Sequence, residues 1–230
     1  MIAPHRAGAM PAAEEELLYL PASTRNLSDI AYEKISQMIR RRQMRGGEII
    51  VEARLAALLK ISRTPLREAL QRLEGEGLVV KGAGRSFVVR SVSLSEYLQS
   101  LKVREILEAE ASALAVGQIP QAKLDAVRRE IEELRAATTH HTEAHWHSDD
   151  SLHGLYIDGC RNEVLGRAIQ ALRVTTRLFE IARLANRVEA DAVEHLRILE
   201  ALSGGDPKAA RVAVAQHTRS LHKFALETLG

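Results

Sequence analysis

The fold is decided by residues 62–78, which read SRTPLREALQRLEGEGL. The apolar residues of this stretch recur at helical spacing and form one face: Leu66, Leu70 and Leu73. Ser62 and Thr64 are candidate N-caps, and Pro65 suits the first turn of a helix because that position needs no N–H donor. The stretch therefore predicts a helix that runs to about Glu74 and has a polar N-terminal end.

The segments on either side complete a small domain. An amphipathic helix is predicted from Ser28 to the glycines at 46–47, and a short second helix from Glu52 to Leu59. The runs at 78–80 and 87–89 are β-branched or aromatic and are separated by glycines, which is typical of a hairpin. Three helices followed by a hairpin form a winged helix-turn-helix, whose third helix enters the DNA major groove.

The charge distribution agrees with a module that binds a polyanion. Residues 26–92 hold 13 Lys and Arg against 7 Asp and Glu, whereas residues 93–230 hold 17 against 20. Arg63 and Arg67 lie at the end of the third helix that meets base edges, where arginine can donate two hydrogen bonds to guanine, and Thr64 suits a phosphate. Solvated helix faces also carry such clusters, so charge alone leaves that alternative open.

The rest of the chain predicts helices only. Residues 93–230 read as six helices near 95–117, 121–138, 143–159, 162–184, 188–203 and 206–228, and their short connections imply an antiparallel bundle. Residues 1–25 contain three prolines and predict a mobile tail. The predicted fold is mainly α: a winged helix-turn-helix domain at 26–92 and an all-α six-helix antiparallel bundle at 93–230.

Composition excludes several other classes of protein. The single cysteine among 230 residues, Cys160, excludes a disulfide framework and any CxxC zinc or redox motif. No apolar run approaches the roughly 20 residues that span a membrane. Three glutamates at 14–16 precede the short apolar stretch near the N-terminus, unlike a signal peptide. We expect a soluble cytoplasmic protein with no membrane partner.

Some of the nine histidines suggest a metal site. Asp149 and His153 are spaced i, i+4 and project from one helix face, and His195 and His217 lie beside apolar stripes on the last two bundle helices. A histidine on an apolar face is more often a satisfied core residue than a ligand, so spacing leaves both roles open. The histidines at 140, 141, 145 and 147 are predicted to be surface residues.

Residues 27–90 resemble the winged-helix domain of the GntR family of bacterial transcription regulators. The matching text is Leu55-Ala56, the run SRTPLREAL at 62–70, RLE at 72–74 and EGL at 76–78. The resemblance implies that DNA is contacted by Ser62, Arg63, Thr64 and Arg67. It also implies a DNA contact at the tip of the wing, which is Gly84. Arg54 is a further candidate, since some members carry an arginine one position earlier, where this chain has Ala53. Lys60 replaces the glycine that is usual in the turn before the third helix.

Residues 95–228 resemble the all-helical ligand-binding FCD domain of the FadR-type GntR subfamily. The matching features are VREILE at 103–108, the DxxLH pattern at 149–153, Asn162 with Leu165, EH at 194–195 and a histidine in the last helix. Many FCD domains bind a divalent metal through one aspartate and three histidines, which implies four ligands: Asp149, His153, His195 and His217. Asp150 is a competitor, but the register favours Asp149. Zinc is the favoured ion, and nickel and manganese suit the same donors.

The FCD resemblance also implies a small effector, often a carboxylate, that lies beside the metal. Arg104 matches the family arginine near that pocket, and a guanidinium can clamp a carboxylate through two hydrogen bonds. A salt bridge from Arg104 to Glu105 or Glu108 on its own helix is an equally good explanation. Arg173 and Arg177 are further pocket candidates.

Together these features predict a homodimeric, metabolite-responsive repressor that binds a pseudo-palindromic operator in double-stranded DNA. Its effector is an organic acid that changes operator affinity by linkage. One alternative is a DNA-binding protein whose bundle metal is purely structural. Another is a metal-dependent hydrolytic enzyme, but the sequence offers no separate carboxylate as its general base, and the basic winged helix would then have no role.

Overall fold

The computed structural model describes residues 26–183 and 187–229, so the predicted tail at 1–25 lies outside the described residues. The N-terminal part is a winged helix-turn-helix with three helices: α1 (Leu27–Arg40), α2 (Glu52–Leu59) and α3 (Arg63–Gly75). Three short strands accompany them: β1 (Ile49–Ile50), β2 (Val79–Lys81) and β3 (Phe87–Val89). They form an antiparallel sheet in the order β1-β3-β2, with Val88 opposite both Ile49 and Val80.

The winged helix has its own core under α3. The apolar face predicted from the sequence is fully buried against α1 and the sheet, together with Ile35 and Val79. The polar N-terminal end of α3 therefore faces solvent. Burying side chains of this size contributes about 1.5–3 kcal/mol each, which fixes α3 on the rest of the domain.

Three local details differ from the sequence prediction or bear on it. Helix α1 begins at Leu27, one residue before the predicted start at Ser28, and its cap is Asn26, whose side chain accepts a hydrogen bond from the Ser28 N–H at 3.2 Å. The sheet has one strand more than the predicted hairpin, because a two-residue strand such as β1 leaves no alternating pattern to detect. Lys60 has φ 53° and ψ 41°, the left-handed conformation that glycine adopts without strain.

Within the described residues, six further helices form the all-α bundle, as the sequence predicts: α4 (Leu94–Ala115), α5 (Gln121–Ala137), α6 (Glu143–Gly159), α7 (Glu163–Arg183), α8 (Val188–Ser203) and α9 (Pro207–Leu229). Helix α4 packs mainly along α9 and also against α7 and α6. It therefore buries polar as well as apolar residues, including Arg104 and Glu108. Among the described helices, none has both the length and the apolar character needed to cross a bilayer.

The winged helix and the bundle meet along α7 and the start of α6. Arg90 donates a hydrogen bond to the Thr175 hydroxyl at 3.0 Å, and Leu178 packs against the winged-helix core. Arg41, just after α1, pairs with Glu143 at 2.8 Å. The same two bundle helices carry polar residues of the site described next, so the site and the winged helix share structural elements.

Candidate metal centre and adjoining cavity

The four residues implied as metal ligands come together in the middle of the bundle. Asp149 and His153 lie one turn apart on α6, His195 is on α8 and His217 is on α9. One ligand atom from each lies within 4.8 Å of all the others. The Asp149 Oδ1 atom is 3.5 Å from His153 Nε2 and 3.6 Å from His195 Nε2. Four donors at about 2.1 Å from a tetrahedral ion stand about 3.4 Å apart, close to these separations.

The histidine nitrogens are arranged as ligands rather than as satisfied core groups. The Nε2 atoms of His153, His195 and His217 are buried and have no hydrogen-bond partner among the described residues. Two rings are held from behind: His153 Nδ1 is 2.6 Å from Glu108 Oε2, and His217 Nδ1 is 2.8 Å from Glu194 Oε2. A carboxylate only accepts, so each Nδ1 carries the hydrogen and leaves an Nε2 lone pair for an ion. The residues therefore fit a divalent metal.

Burial keeps His153 and His195 neutral. Burial lowers the pKa of His153 to about 4, with Arg173 acting in the same direction, and burial with His217 nearby lowers the pKa of His195 to about 3. Burial by itself would raise the pKa of Asp149, but Arg177, His153 and Arg173 outweigh it and hold that pKa well below its usual range. Neutral imidazoles and an ionised carboxylate are the protonation states that bind a metal.

Three arginines surround the quartet. Arg104 Nε pairs with Glu108 Oε1 at 2.5 Å, and its Nη1 donates to the Thr176 hydroxyl at 2.7 Å. The salt bridge weighed from the sequence is thus present, and Arg104 also lines the cavity beside the histidines. Arg173 and Arg177 each contact both Asp149 and Asp150. The two aspartates nevertheless differ, because Asp149 belongs to the quartet, whereas Asp150 is half-exposed and lies outside it.

A cavity of about 300 Å³ opens beside the quartet, and its size is at the lower end of small-molecule sites. Its walls combine three of the four implied metal ligands, Asp149, His195 and His217, with the three arginines and with apolar side chains that include Ile131, Leu134, Leu221 and Phe224. A cavity with a metal, fixed cations and an apolar surface can hold a small organic anion.

Three histidines that we predicted to be at the surface line this cavity, and two of them are not exposed. His141 and His145 are half-buried and line it, and the prediction is wrong for both. The reason is that α6 begins at Glu143, so its first turn covers the cavity. The spacing of His145, Asp149 and His153, four residues apart, was the signal in the sequence: it continues one helix face. His140, which also lines the cavity, and His147, which does not, are exposed as predicted.

The residues predicted to contact DNA lie together at the N-terminal end of α3. Arg63, Thr64 and Arg67 are exposed, and Arg67 Nε pairs with Glu52 of α2 at 2.7 Å. Ser62 occupies the N-cap position with extended backbone, but its side chain makes no capping hydrogen bond. Gly84 has φ 66° in the turn between β2 and β3, and Arg54 is exposed on α2. The side chains of Ser62, Arg63, Thr64 and Arg67 are therefore accessible to a ligand outside the domain.

Comparison with known families matches the two parts of the chain separately. Residues 27–89 match the model described as bacterial regulatory proteins, gntR family, and residues 99–220 match the model of the FCD domain. The second match alone spans more than half of the chain.

Individual proteins give the same result. An uncharacterized HTH-type transcriptional regulator of Bacillus subtilis strain 168, YdhC, is 27% identical over 193 residues, which cover 81% of this chain and 85% of that protein. The Glc operon transcriptional activator of Escherichia coli K12 is 27% identical over 227 residues, which cover 86% and 89%. The solved structure of E. coli McbR/YncC superimposes with a TM-score of 0.74 at 20% identity and covers 90% of this chain and 100% of that one. This last likeness concerns the fold alone.

Proposed function

Since the chain belongs to the gntR family of bacterial regulatory proteins and carries an FCD domain, we propose that it is a repressor whose operator affinity responds to a small organic acid. The observation that carries this proposal is the set of three buried, unpartnered Nε2 atoms beside an arginine-lined cavity, in a chain that also has a basic winged helix. Family membership favours a regulator over the metal-dependent hydrolase considered from the sequence. A regulator of this kind acts on DNA in the cytoplasm.

DNA recognition in this proposal belongs to α3. Arg63 and Arg67 read base edges in the major groove, Ser62 and Thr64 contact phosphate at the helix N-terminus, and the wing tip at Gly84 approaches the backbone. Glu52 holds the Arg67 guanidinium before DNA arrives, which reduces the side-chain entropy lost on binding. Arg54 on α2 adds a phosphate contact.

Effector recognition belongs to the cavity. The ligands Asp149, His153, His195 and His217 would hold zinc, with nickel or manganese as substitutes, and a bound divalent ion supplies a positive site for a carboxylate oxygen. Arg104 offers a second cationic contact, and its position is fixed by Glu108 and Thr176. The net charge of the cavity then depends on whether an organic anion is bound in it.

Coupling between cavity and DNA runs through α7 in this proposal. Arg173 and Arg177 contact Asp149, a metal ligand, while Thr175 and Leu178 of the same helix contact the winged helix. An acid that binds at the metal and draws on these arginines changes the position of α7 that is most stable. The reading helix α3 takes one orientation with each position of α7, and these two orientations differ in effector affinity. By linkage they also differ in operator affinity.

A pseudo-palindromic operator requires two copies of the chain, and α4 offers the surface. Val103, Ile106 and Leu114 are exposed apolar residues that lie on one face of α4. We propose this stripe as part of the dimer interface, because exposed apolar residues that share one helix face can pack against the same face of a second copy. Sedimentation velocity of Ile106→Glu should show a monomer where the wild type is a dimer; an unchanged dimer would reject this interface.

The experiment that tests the function is operator selection from a random DNA pool, followed by fluorescence-anisotropy titrations over a range of salt concentrations. The expected result is tight, sequence-selective binding whose affinity falls steeply with salt, because several phosphates are neutralised. A scrambled duplex of the same length and composition is the control. Binding that is equally weak to both duplexes would contradict a sequence-specific regulator.

A further inference from the structure

A second cavity lies where the connection between the winged helix and the bundle passes α7. Its volume is about 320 Å³, and its walls come from the loop after α1, from the linker at 90–93 that joins β3 to α4, and from Leu178 of α7. Among the described residues, none of the implied metal ligands and no member of α2 or α3 lines it. We call it the linker cavity. The proposed function assigns no ligand to it, so an occupant would be a second ligand of the protein.

The linker cavity is positively charged. Arg42, Arg45 and Arg90 line it, and no acidic residue of the described chain does. Arg90 is already engaged, because its Nη1 donates to the Thr175 hydroxyl at 3.0 Å and its Nη2 pairs with Glu96. In the part of the chain that the structure describes, the guanidinium groups of Arg42 and Arg45 have no hydrogen-bond or ion-pair partner. Two unpaired cations at one cavity favour an anionic ligand.

The backbone holds the two unpaired arginines at the cavity. A Cβ at Gly46 would lie 3.3 Å from the Arg90 carbonyl oxygen, so the loop after α1 packs directly against the linker. The Arg45 N–H donates to the Glu48 carboxylate at 2.9 Å, which fixes the turn that follows. Arg42 has φ 59°, a left-handed conformation that residues other than glycine disfavour. Strain of this kind is concentrated at functional sites, and here it falls on a residue that lines the cavity.

The arrangement of donors distinguishes between the common anions. A carboxylate has two oxygens in one plane, and a single guanidinium can satisfy both of them. A phosphate monoester has three terminal oxygens and nearly two negative charges at neutral pH, so it can accept from two guanidinium groups at once. We propose that the linker cavity binds the phosphate group of a small phosphate ester, with Arg42 and Arg45 as its donors.

The remaining walls suit the carbon part of such an ester. Ile39, Met44, Val92 and Leu178 contribute apolar surface, and a volume of about 320 Å³ matches a compound of metabolite size. DNA is the other source of phosphate groups. The apolar lining and the absence of α3 from the walls favour a small ester over a strand of the operator. An ester bound here would contact the winged helix, the linker and the bundle together.

Isothermal titration calorimetry of the full-length protein without DNA tests the site. The probes are propyl phosphate, butyrate and propanol, which share a three-carbon chain and differ in the polar group. Propyl phosphate should bind with the same affinity to zinc-loaded and to metal-free protein, because no metal ligand lines the linker cavity. Arg42→Gln and Arg45→Gln should each weaken its binding about tenfold or more, since each removes a charged donor. The affinity for butyrate should change less than twofold in these variants, and propanol should not bind.

Arg40→Gln is the matched control, because it removes the same charge from an exposed arginine that precedes the loop and does not line the cavity. Arg42→Gly removes the guanidinium together with the backbone strain, so it should melt no lower than the wild type and still lose the ester. The proposal is overturned if propyl phosphate does not bind, if it binds only when zinc is present, or if its affinity survives in Arg42→Gln and Arg45→Gln.

A second titration separates the two sources of phosphate. Anisotropy with a random-sequence duplex, in the absence of any ester, compares Arg45→Gln with Arg40→Gln. A small-ester site predicts that both variants bind the duplex with the same affinity and the same salt dependence. A weaker affinity and a shallower salt dependence in Arg45→Gln alone would place the DNA backbone in the linker cavity and overturn the proposal.

Discussion

The winged helix and the bundle use their charged residues in opposite ways. On α3 the polar residues Arg63, Thr64 and Arg67 stand in solvent, and the apolar face beneath them does all the packing. In the bundle Arg104, Glu108 and His153 are buried, and Glu108 bonds to both of the others. In the winged helix, the residues that would recognise DNA are therefore not the ones that stabilise the fold, whereas in the bundle the same residues do both. The following predictions test that difference.

The largest effect is expected at a metal ligand. His195→Ala should reduce zinc affinity by more than about 100-fold, since even the loss of a partner behind a ligand costs 10–100-fold. The melting temperature of the zinc-loaded protein should fall as well, because a metal that binds only the folded state stabilises it. Metal analysis and thermal unfolding with and without zinc measure both effects, and His147→Ala is the control. Full zinc occupancy in His195→Ala would remove this residue from the site.

At the reading helix the expected loss is confined to DNA binding. Arg63→Ala and Arg67→Ala should each weaken specific operator binding by about 1–3 kcal/mol. The free energy of unfolding should change by less than about 1 kcal/mol, because exposed ion pairs such as Arg67 with Glu52 contribute little. Arg167→Ala removes the same charge from an exposed site on α7 and serves as the control. A large loss of stability in either α3 variant would break the proposed separation.

The buried histidines predict how the stability of metal-free protein depends on pH. The pKa values of His153 and His195, about 4 and about 3, lie below the value of about 6.5 in an unfolded chain. Between these limits the unfolded state binds more protons, so the free energy of unfolding should fall as the pH is lowered from about 6.5 to about 4. Urea titrations across this range measure the slope, and it should be shallower in His195→Gln. Parallel curves for the two proteins would show that the buried ring does not contribute.

The smallest effect is expected at the turn before α3. Lys60 is strained by its positive φ, so Lys60→Gly should raise the free energy of unfolding by about 0.5–1 kcal/mol and leave operator affinity unchanged. Gly84→Ala is the reverse change: Gly84 also has a positive φ, and a Cβ there would meet no atom within 4 Å. Its cost should therefore come from backbone strain alone. A Lys60→Gly variant that is less stable than the wild type would contradict the argument from φ.

The sequence predicted well what is local. Helix α3 follows from apolar spacing and a proline within about a dozen residues, and the winged-helix fold and the bundle are confirmed. The four residues implied as metal ligands do come together, although spacing could relate only Asp149 to His153. The meeting of these two with His195 and His217 depends on how α6, α8 and α9 pack, and only the family resemblance pointed to it.

The sequence failed where a role depends on distant partners. Glu108 and Glu194 hold the rings of His153 and His217 from other helices, and nothing near them in the chain indicates it. His141 and His145 look like surface histidines because their neighbours are polar, yet the start of α6 turns them towards the cavity. The spacing to Asp149 could have indicated His145, but the roles of Glu108, Glu194 and His141 are recognised only when the packing is known.

The central claim is that an acid bound at the metal centre controls the reading helix. Its most direct test is the operator Kd, measured by anisotropy with and without a panel of carboxylic acids, for zinc-loaded and for metal-free protein. We expect at least one acid to weaken operator binding about tenfold or more when zinc is present, and to have no effect on the metal-free protein or on Arg104→Lys. An operator Kd that no acid changes, or that changes equally without zinc, would contradict the claim and leave the metal a purely structural role.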